Sequence, residues 1–375
     1  MRASRPYALP VCLGALLAAC SGSPAIKPAE LTKFTPSAQA KVVWRASPGP
    51  AKGYIFTPAL YRGSVYAASS NGSVARYDSG SGKQLWRVDT KHPLTGGVGA
   101  DGDRVLVGTK KGDVLALDLN GKTVWTSRVS SEVLSAPRLA EGMVIVRSGD
   151  GRIVALDAKD GARKWEYSAS MPPLLLRSDS GVTVARGTVY AGLHNGRLVA
   201  LGLAGGNVGW EATVAQPKGA NELERMVDVA ATPIVEEEEV CAVAFQGRVA
   251  CFDAAKGTLL WSRDASSAVS LGGDPATLYM TDDRGTVQAL DRATGATYWK
   301  MDKLYGRQVS APVVVGRFVA VGDYQGYVHF LHREDGALAA RLATDGSPIV
   351  ARPQRIGANV LVQTRGGSVY VIAVN

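Results

Sequence analysis

The 375-residue chain is 46% hydrophobic and 20% charged, enough apolar material for a substantial core and too little charge for a disordered segment. Its formal charge of +9 is scattered in short runs, which excludes the clustered basic stripe of a nucleic-acid binder. No metal-ligand spacing, P-loop, nucleophile elbow or dinucleotide fingerprint occurs, so the motifs give no catalytic residue, cofactor or metal.

At the amino terminus, Arg2 and Arg5 precede an apolar run from about Tyr7 to Leu17 that ends Leu17-Ala18-Ala19-Cys20. This order predicts a secretory signal over residues 1–19, too short to remain as a spanning helix. The Leu-Ala-Ala-Cys ending resembles a bacterial lipobox. That implies lipidation of Cys20 as the mature terminus, and loss of two arginines brings the charge to +7. In the lipobox pattern Ser21, where an aspartate would favour the inner membrane, implies the outer one. Residues 20–40 are rich in Ser, Pro and Ala and are predicted to be a flexible tether, about 25 Å in root-mean-square reach. The chain would be anchored to a membrane, not through it.

From residue 41 onward the sequence repeats. Turn glycines stand at Gly72, Gly112, Gly151, Gly196, Gly247, Gly285, Gly326 and Gly367, each followed two residues later by Val, Ile or Leu. In six copies a G-x-x-x-W unit follows, from Gly82/Trp86 to Gly295/Trp299. The glycines are 40, 39, 45, 51, 38, 41 and 41 residues apart. A period near 40 with four short strands per unit predicts an all-β, eight-bladed propeller over 41–375. A buried tryptophan contributes roughly 4–6 kcal/mol gross, so these residues are structural. Asp78, Asp118, Asp157, Asp253 and Asp291 recur six residues after the turn glycines and are predicted to cap local backbone donors.

Two consecutive spacings are long. The extra residues lie between the tryptophan strand of one blade and the first strand of the next, so both insertions should emerge side by side on one face. The first contains Met171-Pro172-Pro173-Leu174-Leu175-Leu176-Arg177-Ser178-Asp179-Ser180, the second Glu222-Leu223-Glu224-Arg225-Met226-Val227-Asp228-Val229. Leucine and arginine beside acidic groups make a protein-binding patch; the competing expectation is that the leucines tuck into the groove between blades 3 and 4. The run Glu236–Glu239 is expected to be a solvated turn. Cys241 and Cys251 flank the Gln246-Gly247 turn. A two-residue turn puts them on opposite faces, whereas a three-residue turn with Gly247 left-handed puts them opposite one another and allows a disulfide. His329 and His332, three apart on a strand, point to opposite faces and share no metal.

The last repeat has no tryptophan strand after Gly367. The strand around Lys41-Val42-Val43-Trp44-Arg45 supplies one, so the first strand is expected to join the last blade and close the ring. Only blade 7 departs from the pattern, with Ala340 in the tryptophan position.

The tryptophan-ended repeats, the lipobox and the two insertions together resemble the BamB family, propeller lipoproteins of the outer-membrane β-barrel assembly machinery. The insertions carry the resemblance most specifically: M-P-x-L-x-L-R-x-[DE]-S matches 171–180 and E-x-[DE]-R-x-x-D-V matches 222–229. It implies a non-catalytic scaffold that binds the periplasmic POTRA domains of BamA through Leu174, Leu176, Arg177 and Asp228, with Leu175 between them. Ala230 departs from the pattern, where family members commonly carry a second acid. The resemblance also implies an outer-membrane location facing the periplasm and no cofactor. Unfolded outer-membrane proteins are further candidate partners, through strand pairing at blade edges. Two other classes share the repeat: a lipid-anchored binding module for another envelope partner, and a quinone-cofactor dehydrogenase. The dehydrogenases carry an adjacent Cys-Cys pair that this chain lacks.

Overall fold

The computed structural model describes residues 27–172 and 174–375. The signal segment 1–19 and Cys20 lie outside them. Eight four-stranded antiparallel sheets follow one another around a ring. Blades 1 to 7 span 59–89, 99–128, 138–167, 182–213, 234–265, 272–301 and 313–343. The eighth combines three strands between 354 and 374 with the strand Ala40–Ala46, which pairs antiparallel with Val369–Val374. First strands of neighbouring blades touch, as Ala59–Tyr61 does Gly99–Asp101, and so line the axis.

The second and third strands of a blade are covered on both faces by adjacent blades. They are therefore continuous apolar runs rather than alternating ones: Asp113–Leu117 and Ser64–Ala68 are buried throughout. The core is divided among the blade interfaces. One share combines Leu106, Val114 and Trp125 of blade 2 with Val144, Val146 and Leu156 of blade 3.

Each tryptophan works across an interface. Trp44, Trp86, Trp125, Trp165, Trp210, Trp261 and Trp299 donate their indole N–H, at 2.7–3.0 Å, to carbonyls of Ser79, Leu119, Ala158, Leu203, Ala254, Arg292 and Arg333 in the next blade. The corresponding turn glycine of that next blade, Gly82 to Gly336, lies against the same indole, where a Cβ would crowd it. Thus the glycine and the tryptophan of one motif serve different interfaces. The repeated aspartates cap their turns as expected: Asp118 Oδ1 accepts the Asn120 and Lys122 amides, both at 2.9 Å, and Asp253 Oδ1 those of Ala255 and Lys256. Blade 7 has no tryptophan because blade 8 has no such turn. Its last two strands come from distant parts of the chain, and Asn375 and Gln39 exchange backbone hydrogen bonds where the turn would be.

Every outer strand carries a β-bulge beside the tryptophan position, as between Val42 and Trp44 or opposite Ala155 and Leu156. A bulge interrupts the row of edge donors and acceptors and twists it away from any incoming strand.

Residues 29–39, expected to be a coil, are held along blade 7. The Ala29 amide donates to the Tyr305 carbonyl at 2.8 Å, and Arg307 Nη1 donates to the Ala29 carbonyl at 2.9 Å. Arg341 Nη2 donates to the Thr32 carbonyl at 3.1 Å while its guanidinium lies 5.1 Å from the centre of the Phe34 ring. The Ser37 and Ala38 amides both donate to Ala339 O. Behind this strap, Arg307 forks onto Asp323, and Asp323 also meets His329 Nε2 at 2.9 Å. All three are buried.

Candidate functional site

The connections between blades leave the same face as the turns that carry the repeat glycines, as the Thr90-to-Gly72, Val129-to-Gly112 and Val214-to-Gly196 hydrogen bonds show. The two long connections, 168–181 and 214–233, are joined there. The Asp228 carboxylate accepts the Leu176 amide at 2.7 Å and the Asn195 amide at 3.2 Å, and the Gly181 amide donates to Thr232 Oγ1 at 2.9 Å. Asp228 itself is fixed by a backbone bridge to Phe245.

Leu174, Leu175, Leu176 and Arg177 come together on the first connection. Met171 and Leu174 are exposed, while Leu175 and Leu176 are half-buried. Arg177 forks onto Glu132, Nε to Oε1 at 2.8 Å and Nη2 to Oε2 at 2.9 Å, and faces the Tyr54 ring from the connection between blades 8 and 1. The Arg177 hydrogen bonds hold the Glu132 carboxyl below its usual range, and Glu132 raises Arg177 in return. The second connection ends in an exposed tip, 216–225, with Leu223 the most exposed large apolar side chain of the face. Asn221 and Glu224 cap that tip: Asn221 Oδ1 accepts the Glu224 amide, and Glu224 Oε2 that of Ala220.

Asp228 has a different place from the other four. It is 3% exposed, and its carboxylate is consumed inside the protein. Asp228 holds the loop from inside, and its own carboxylate is not presented at the surface. Burial alone would raise its pKa, but His194 beside it and the Leu176 and Asn195 amides outweigh burial and hold it below the usual range. Ala230 is likewise buried.

Leu176, Arg147 and His194 are among the residues that line a small cavity on this face. Arg147 donates to Ser180 Oγ at 2.8 Å; burial pushes its pKa down to about 10, against the pull of Asp228. Glu132, Tyr54, Arg147 and His194 were not singled out from the sequence. For Arg147 a signal existed. In the eight repeats the residue six before the aliphatic is Ala68, Gly108, Arg147, Gly192, Val243, Thr281, Gly322 or Gln363, so one strand alone carries a charge there.

Away from this face, Cys241 and Cys251 pair across the middle of blade 5 as a buried disulfide, their Cα atoms 4.1 Å apart. The three-residue turn is the one formed, with Ala244 opposite Arg248. Its left-handed residue is Gln246, however, and not the expected Gly247. Gly247 starts the next strand, where a Cβ would press on Ala215 and Ala244. Glu239 lies beside the sulfurs, but disulfide-bonded cysteines offer no metal ligand.

An eight-bladed propeller with tryptophan-locked blades and one face built up by two insertions defines a class of β-propellers. The family model described as outer membrane protein assembly factor BamB matches residues 70–301. A Burkholderia pseudomallei protein of that name is 42% identical across 99% of both chains. The crystal structure of BamB from Moraxella catarrhalis superposes with a TM-score of 0.83 at 27% identity, over 89% of this chain and all of that one. A quinohemoprotein alcohol dehydrogenase from Comamonas testosteroni shares the fold alone, with a TM-score of 0.73 at 15% identity over 89% of this chain and 76% of its own. The chain belongs to the BamB family of outer membrane protein assembly factors.

Proposed function

We propose that the protein is a non-catalytic scaffold of the outer-membrane β-barrel assembly complex, docked on the POTRA domains of BamA through the face formed by its two insertions. The observation that carries this reading is the welding of both insertions into one surface. Asp228 takes the Leu176 amide, so Leu174, Leu175, Leu176 and Arg177 are presented on a fixed backbone. A pre-ordered apolar loop loses little entropy on docking. The lipid on Cys20 holds the body at the outer membrane, facing the periplasm. Pairing of client strands with blade edges is no part of the proposal, because each outer strand is broken by a bulge.

The experiment is recovery of BamA with this protein from detergent-solubilised outer membranes. Leu176→Glu and Arg177→Glu, checked for folding, should lose it. Retention by both folded variants would refute the assignment of the face, and absence of BamA with the natural chain would refute the partner.

A further inference from the structure

Arg177 is the most obvious cation of the face, yet Glu132 already neutralises it in a two-pronged ion pair. The unspent donors lie deeper. Arg147 is 8% exposed, and among the described residues its Nε and Nη2 make no hydrogen bond. His194, with a side chain 9% exposed, has no partner for Nε2. Both line the cavity, together with Leu134, Ser135, Ser148 and Leu176. The cavity is small, about 20 Å³, and partly open to solvent, so only the head of a side chain reaches in. His194 Nε2 is buried without a partner, and a buried polar atom left so is costly, so the site favours a ligand that supplies one.

We propose that Arg147 and His194 form a socket for one carboxylate, inserted by an aspartate or glutamate side chain of the protein docked on this face. The inference rests on the reading of the face as a protein-binding surface. A planar fork of guanidinium N–H groups next to an imidazole nitrogen matches the two coplanar oxygens of a carboxylate. A tetrahedral oxyanion carries oxygens out of the plane of that fork and matches it less well. Leu134 and Leu176, which also line the cavity, fit the methylene stem of an acidic side chain. The arginine stands where the other seven repeats place an uncharged residue, so blade architecture does not require it.

The test uses the full chain and full-length BamA in detergent, with affinity measured for the natural protein, Arg147→Met and His194→Gln. Because Arg147→Met can fail to fold, the His194 ring resonances of the natural protein are also followed by NMR on adding acetate, phosphate or BamA. The expected result is a loss of about 30-fold in affinity for Arg147→Met, typical of removing one partner of a buried charged hydrogen bond. The His194 ring should shift with acetate and with BamA and remain still with phosphate. Unchanged affinity of folded variants would overturn the socket while leaving the docking face intact. A shift with acetate alone would make it a free-anion site and overturn the proposal, as would a still ring throughout or a shift with phosphate. If the natural chain does not bind BamA at all, it is the docking reading that fails.

Discussion

Asp228 acts as a pin driven from one connection into the next. Asp228→Ala leaves the Leu176 and Asn195 amides without their acceptor and should cost about 2–4 kcal/mol of stability. Hydrogen exchange in 174–181 should rise well beyond its level elsewhere in the molecule; unchanged exchange there would mean that the loop is held by its leucines. The pH dependence has a definite sign. The folded carboxyl is depressed, so its contribution is complete above the ordinary carboxylate value of about 4 and is lost as pH falls through the folded value. Protection of the Leu176 amide, taken relative to its intrinsic exchange rate, should therefore fall only in acid.

The blade repeats through a contact between neighbours rather than within one sheet. Gly161 has φ +77 and lies where a Cβ would stand 2.7 Å from the Trp125 ring, whereas Gly142 in the same blade, at φ +78, has open space. Gly142→Ala pays only backbone strain, about 1 kcal/mol. Gly161→Ala adds a clash of about 1–3 kcal/mol, and equal melting temperatures for the two would contradict the interface argument. In blade 5 the disulfide closes a loop of sequence separation 10 and should contribute roughly 2–3 kcal/mol. Alkylation of the unfolded, unreduced chain should label neither Cys241 nor Cys251. Much at this scale was legible, because tryptophan, glycine and aspartate each answer one geometric demand and recur together. The insertions were legible as breaks in that period. The Arg177–Glu132 pair and the burial of Asp228 were not, since both depend on how separate connections cross above the ring. The strap on blade 7 escaped for the same reason: its anchors, Arg307 and Arg341, lie nearly the whole chain away from Ala29 and Thr32.

At the scale of the molecule, the strand Ala40–Ala46 and the strap do different jobs. A chain starting at residue 40 keeps the seam with Val369–Val374 and loses the strap, so it should melt earlier but still in one transition. A chain starting at residue 47 loses the seam and exposes an edge of blade 8. It should unfold in more than one step or aggregate; a single unshifted transition would show that closure is dispensable. The strap lies on blade 7 and the first insertion follows blade 3, which puts them half a turn apart in the ring.

The seam also sets a clock. Ala40 pairs with Val374, so one partner of this ladder is made among the first residues and the other among the last. Seven blades can form in order as the chain emerges, each from consecutive strands; Trp44 can settle early on blade 1, while the backbone edge of its strand waits for Val369–Val374. The slow event in folding is then the meeting of two strands separated by almost the entire sequence, the costliest loop the chain can close. During that wait the unpaired strand is open to pairing with another sheet.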